Sequence, residues 1–160
     1  MDGVLRSALH DLEAMHARSL GALQTDPMER GRPGVYTLWH GPSLLYVGMA
    51  RMDQRDTSNP QARGLFGRLQ THYDVFPQRD PWPAIWPLIR APLSPADLEA
   101  LRQNNVPVAH RLRPRLQEFA RREVSYRWII TSGGAARAIE DHVRRVGLPT
   151  AGRPLVNPKC

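Results

Sequence analysis

The run Gly34-Val35-Tyr36-Thr37-Leu38-Trp39, then His40-Gly41-Pro42-Ser43, then Leu44-Leu45-Tyr46-Val47-Gly48-Met49, decides how this chain is read. Two stretches of β-branched, aromatic and aliphatic residues flank a cluster of turn formers, the pattern of a β-hairpin. Directly opposed residues of an antiparallel pair share a face. Tyr36 and Tyr46 therefore reach one side if the loop holds an odd number of residues, or if a bulge corrects an even one. Further on, Leu65, Leu69, Tyr73 and Phe76 are spaced for a helix from Gly64, which puts Arg68 and His72 on one of its faces. Two phenols, a guanidinium and an imidazole suit phosphate chemistry, because the planar fork of arginine is always charged and matches phosphate oxygens. Each residue taken singly also has a plainer reading, as a sheet aromatic, a surface arginine or a capping histidine.

A chain of 160 residues suits one domain, burying about two thirds of the surface its unfolded form exposes. Lys plus Arg less Asp plus Glu is 22 minus 15, or +7, and every basic residue except Lys159 is arginine. That balance favours a polyanionic partner, although a GC-rich genome also produces arginine in place of lysine. The one cysteine, Cys160, excludes a disulfide framework or a cysteine metal cluster and implies a reducing, cytoplasmic setting. Asp2, Asp11 and Glu13 interrupt the apolar positions of the first 24 residues. This excludes a signal-peptide core, and no stretch approaches membrane-spanning length.

Leu5, Leu9, Leu12, Met15, Leu20 and Leu23 predict one amphipathic helix over residues 2–24. It would pack on the domain or, alternatively, mediate a homodimer. The hairpin occupies residues 34–50. Residues 51–63 are polar and aperiodic, a surface loop whose Arg51, Arg55 and Arg63 would touch DNA backbone or lie in solvent. Residues 77–95 hold six prolines around Trp82 and Trp86. Such density predicts an extended wrap, its tryptophans packed on the core or stacked on unpaired bases. Ser94 caps a helix that ends by Asn104-Asn105, and a second short helix begins at Pro114.

From Arg111 to Arg127 six arginines, including Arg111, Arg113, Arg115 and Arg127, face Glu118 and Glu123. This is a DNA-facing patch or a helix surface with internal salt bridges. Val124, Tyr126, Trp128 and Ile130 alternate with Ser125, Arg127 and Ile129 as a strand that pairs with the hairpin. After Ser132-Gly133-Gly134, a helix with Ala135, Ala136, Ile139, Val143 and Val146 as its apolar positions follows and stops at Gly147. Glu140 borders its buried stripe, within reach of Arg137 and Arg144. Asp141 and His142 face solvent. The expected fold is α+β, a small three-stranded antiparallel sheet flanked by helices. Its parts are an N-terminal helix (1–24), the hairpin with the Arg/His helix (34–76), a Pro/Arg-rich helical insertion (77–123), and the third strand, Glu helix and tail (124–158).

Gly34-Val35-Tyr36 with Tyr46-Val47-Gly48 resembles the paired signature of the GIY-YIG nuclease family. The resemblance continues through Arg68, His72, Glu140 and the tail Arg153-Pro154-Leu155-Val156-Asn157-Pro158, in the family's order over residues 34–158. It implies a divalent-metal-dependent DNA endonuclease. Tyr36 would be the general base or would orient the attacking water, and Tyr46 would hydrogen-bond at the scissile phosphate. Arg68 would stabilise developing charge, and His72 would position water or support Tyr36. Glu140 would hold one Mg²⁺ or Mn²⁺, with water filling the other positions. Asn157 would fix the tail or bond the phosphate. Gly48 would allow close backbone approach, joining Arg51, Arg63, Arg111, Arg113, Arg115 and Arg127 as candidate DNA contacts.

This sequence has Val35 where the family name has isoleucine, and it is longer at residues 51–63 and 77–123. The competing reading is a non-catalytic nucleic-acid-binding module of the same fold, which has no need for Tyr36, Arg68 and Glu140 together. A PD-(D/E)xK nuclease requires clustered carboxylates and a nearby lysine, and Lys159 stands alone. Preference for single-stranded or duplex DNA stays open.

Overall fold

In the computed structural model, which describes residues 3–51, 64–74, 93–103 and 105–156, the hairpin forms as its residue types require. Helix α1 (Gly3–Ala14) leads to strand β1 (Arg18–Ser19), a 3-10 helix (Leu20–Thr25), and the hairpin strands β2 (Gly34–His40) and β3 (Ser43–Ala50). Then come helices α2 (Gly64–Asp74), α3 (Pro95–Arg102) and α4 (Val106–Glu123), strand β4 (Val124–Ile130) and helix α5 (Gly133–Arg145). The class is α+β. All pairings are antiparallel and the strand order is β1-β4-β2-β3.

Among the described residues the sheet has four strands, not the expected three. The fourth is β1, two residues that pair Arg18 with Tyr126 and Ser19 with Ser125 on the outer side of β4. It lay hidden because Leu20 and Leu23 continue the leucine spacing of α1. The helix instead ends at Ala14, and Ser19 caps a separate 3-10 turn by accepting from the Gly21 N–H. Both leucines are buried by that turn rather than by a continuing helix.

The turn between β2 and β3 is the two-residue loop Gly41-Pro42, flanked by the pair His40 and Ser43. Gly41 has φ +55°, the left-handed first position of a tight hairpin turn. An even loop alone would set Tyr36 and Tyr46 on opposite faces. The register shifts after Trp39–Leu44, so that Leu38 pairs with Tyr46 and Tyr36 with Gly48. Leu45 is the extra residue of this bulge, and its insertion returns both tyrosines to one face.

Both faces of β2 are covered, which is why the strand reads as a continuous apolar run. On one face Tyr36, Leu38, Tyr46 and Tyr126 pack with Leu65, Phe66 and Leu69 of α2, with Leu112, Leu116 and Phe119 of α4, and with Leu20 and Leu23. On the other, Val35, Trp39, Leu44 and Val47 pack with Leu9 and Leu12 of α1 and with Ala136, Ile139 and Val143 of α5.

Helix α4 begins well before the expected Pro114. Asn105 caps it by accepting from the Val108 N–H, and Pro114 lies inside it. An interior proline costs about 3 kcal/mol in an isolated helix. Burial of Leu112, Leu116, Phe119 and Ala120 along one stripe offsets that cost. After α5 the chain returns along the outer edge of β3, where the Leu155 and Val156 N–H groups donate to the Leu44 and Leu45 carbonyls at 3.0 and 2.8 Å. Among the described residues no helix is long and apolar enough to cross a membrane.

Candidate functional site

Tyr36 is held by the strand register and by a missing side chain opposite. Its cross-strand partner is Gly48, and a Cβ on that glycine would lie 2.5 Å from both Cζ and the hydroxyl of Tyr36. The phenol thus lies flat across the backbone of the edge strand β3. Gly34 has a similar constraint, since a Cβ there would collide with the Ile129 carbonyl oxygen of β4. The two glycines of the paired tripeptides each serve contact, one letting β2 and β4 close and the other seating the phenol.

Helix α2 brings His72 onto this phenol. The Tyr36 hydroxyl lies 2.8 Å from His72 Nε2, donating to it when the ring carries its proton on Nδ1. It is also hydrogen-bonded with the Tyr46 side chain. The ring centroids of Tyr36 and Tyr46 are 6.1 Å apart, those of Tyr36 and His72 5.5 Å, and those of Tyr46 and His72 5.2 Å. All three side chains are buried. Arg68, one turn earlier on α2, is exposed, and its charge acts on Tyr36, His72 and Glu140.

Glu140 comes from α5, on the opposite face of the sheet. That helix is started by Ser132, whose hydroxyl accepts from the Ala135 N–H, and Ile139 and Val143 anchor it to the core. Glu140 is only 6% exposed. Its Oε1 accepts from Arg144 Nη2 at 2.8 Å, which selects Arg144 over Arg137 as its partner. Arg137 instead pairs with Asp141 at 3.8 Å.

Burial dominates the electrostatics. It pushes the Tyr36 phenol well above its ordinary value near 10, Tyr46 and Glu140 push the same way, and Arg68 opposes them. Burial, with the Arg68 charge beside it, holds His72 down at about 3, so the imidazole is neutral at physiological pH. Burial raises Glu140 against the pull of Arg144 and Arg68. The carboxylate is thus raised by desolvation although two guanidinium charges act on it.

Of the six residues expected at the site, Tyr36, Tyr46 and His72 meet directly, and the charges of Arg68 and Glu140 act on Tyr36. Asn157 and Arg63 lie outside the described residues. Val156, immediately before Asn157, is buried and tied to Leu45, the residue preceding Tyr46. The candidate DNA contacts are placed more variously. Arg51 is exposed at the end of β3, with its Cγ near Gly133 at the start of α5. Arg115 is exposed, Arg113 is half-buried, and Arg111 pairs with Asp97 at 2.8 Å. Arg127 is half-buried, stacks over Trp39 at 4.2 Å and donates to the Glu13 carbonyl. Gly48 faces the Tyr36 phenol.

The bulge at Leu45 meets the condition that an even turn set in the sequence, that a bulge must bring both tyrosines to one side. The selection of Arg144 over Arg137 depends on the helix orientation and had no signal in the sequence. Among the described residues no three His, Cys, Asp or Glu side chains gather as a metal cage. No protein-family model, curated protein or solved structure matches this chain.

Proposed function

We propose that this protein is a divalent-metal-dependent DNA endonuclease of the GIY-YIG type, hydrolysing phosphodiester bonds at the Tyr36, Tyr46, Arg68, His72 and Glu140 cluster. One observation carries the reading: the Tyr36 and Tyr46 phenols and the neutral His72 imidazole meet with ring centroids 5.2–6.1 Å apart, and the charges of the exposed Arg68 and the buried Glu140 act on Tyr36. A module that only binds nucleic acid gains nothing from burying a carboxylate and a tyrosine–histidine pair beside a guanidinium. Phosphodiester hydrolysis uses all of them.

Glu140 fits a hard divalent cation, because burial makes its charge costly and positive charge relieves it. Mg²⁺ or Mn²⁺ held there, with waters or substrate oxygens as further ligands, would neutralise charge on the phosphoryl and leaving oxygens. Arg68, reaching solvent, takes the phosphate oxygens from the other side. Tyr46 hydrogen-bonds the same phosphate. Tyr36 is a neutral phenol whose proton is engaged by His72 Nε2, which turns an oxygen lone pair toward an incoming water and orients it. Acting as phenolate would oppose burial, Tyr46 and Glu140 together. His72 is too weak a base to take the phenol proton outright and acts by direction. Asn157 keeps its assignment to the tail on the resemblance alone.

The test incubates the purified protein with Mg²⁺ or Mn²⁺ and matched single-stranded and duplex DNA. Cleavage of at least one is expected, lost in Arg68→Ala and in Glu140→Ala with unchanged far-UV circular dichroism. Binding without cleavage by the wild type would return the non-catalytic module. Cleavage retained by either variant would overturn the assignment of that residue.

A further inference from the structure

Two ion pairs with the same spacing lie on α5, and they differ in their access to water. Arg137 Nε and Asp141 Oδ2 are 3.8 Å apart, with side chains 65% and 40% exposed. Arg144 Nη2 and Glu140 Oε1 are 2.8 Å apart, with side chains 20% and 8% exposed. The first is a solvated surface pair of little consequence. The second is desolvated on both sides, so the carboxylate depends on its partner rather than on water for compensation. It also has the acid N-terminal to the base, the favourable orientation on a helix. Arg144 acts on Glu140 by contact and Arg68 through space. A dication arriving at Glu140 must therefore share the carboxylate with the Arg144 guanidinium or displace it from Oε1.

We propose that Arg144 is a built-in competitor of the divalent ion, holding Glu140 through Oε1 in the metal-free protein and yielding that oxygen when the ion binds. The inference rests on Glu140 as the metal ligand. Arg144 is thereby a positioning residue: it keeps a buried carboxylate ionised and oriented without metal. It also raises the metal concentration at which the site fills. Two cations on one small carboxylate repel, so removing the guanidinium tightens the ion's hold.

The test measures Mn²⁺ binding without DNA, from the electron paramagnetic resonance signal of free Mn²⁺ at pH 8. The proteins are wild type, Glu140→Gln, Arg144→Gln and Arg144→Lys. Arg144→Gln is expected to bind Mn²⁺ about tenfold more tightly, the scale of one charge contact removed from a partly desolvated site. Arg144→Lys should stay near wild type because lysine restores a competing cation, a rescue that a packing role does not predict. Glu140→Gln should lose binding. Mn²⁺ should also raise the melting temperature of Arg144→Gln more than that of wild type. If the glutamine variant does not fold, Arg144→Met, which keeps the apolar stem, gives the same comparison. Unchanged or weaker binding in the charge-free variant, with wild type still tighter than Glu140→Gln, overturns the exchange and leaves the metal site standing. Equal binding by wild type and Glu140→Gln overturns both.

Discussion

A phenol buried against an imidazole has one proton to place between two weak groups. With Tyr36 raised and His72 lowered, both by burial, that proton stays on the tyrosine, and it points at Nε2 when the ring carries its own proton on Nδ1. Tyr36→Phe keeps the ring over Gly48 and removes only the hydroxyl. Cleavage is expected to fall by about 10²-fold, the scale for a lost positioning contact, while circular dichroism stays unchanged. A gel assay on labelled DNA under single-turnover conditions measures it, and activity within a few-fold of wild type would remove Tyr36 from the chemistry. The residues that meet here were legible in the sequence because the two tripeptides and the Arg68–His72 spacing are local patterns. Their protonation states were not, since burial is a property of the surroundings and here outweighs every charge nearby.

The hairpin, as an element, makes its claim through Gly48. A methyl group there would press on Cζ and the hydroxyl of Tyr36, an overpacking that costs about 1–3 kcal/mol. Gly48→Ala should therefore lower the unfolding free energy from urea titration by that amount. The cost should shrink when Tyr36 is first replaced by leucine, because coupled contacts are non-additive. An equal cost in both backgrounds would show that the clash lies elsewhere. At this scale the elements agree with the sequence where local rules dominate, as in the β2–β3 hairpin, the alternating β4 and the helix α5 that follows the break at Ser132-Gly133-Gly134. They depart from it where a local rule was overruled by packing. The leucine spacing of residues 5–23 spans a helix, a two-residue strand and a 3-10 turn. Pro114 sits inside a helix because the buried stripe around it outweighs the lost N–H and the ring clash.

For the whole molecule, the buried neutral His72 ties stability to acidity. Unfolding returns the ring to an ordinary value near 6.5, so between pH 6.5 and about 3 the unfolded chain binds a proton that the folded one refuses. That contribution is fully present above pH 6.5 and drains away as pH falls, at about 1.4 kcal/mol per pH unit. His72→Gln, which keeps an acceptor for Tyr36 and does not titrate, should flatten the fall in urea-derived stability across this window. Parallel curves for variant and wild type would mean that His72 titrates normally in the folded protein. The sequence by itself determined which side chains are present and which local segments they favour, because periodicity, turn chemistry and capping act over a few neighbours. Only the tertiary structure decided that Leu45 bulges to bring the tyrosines to one face, that β1 joins the sheet, and that Glu140 takes Arg144. The physical reason is that register, burial and the choice among charge partners arise from contacts between segments far apart in the chain.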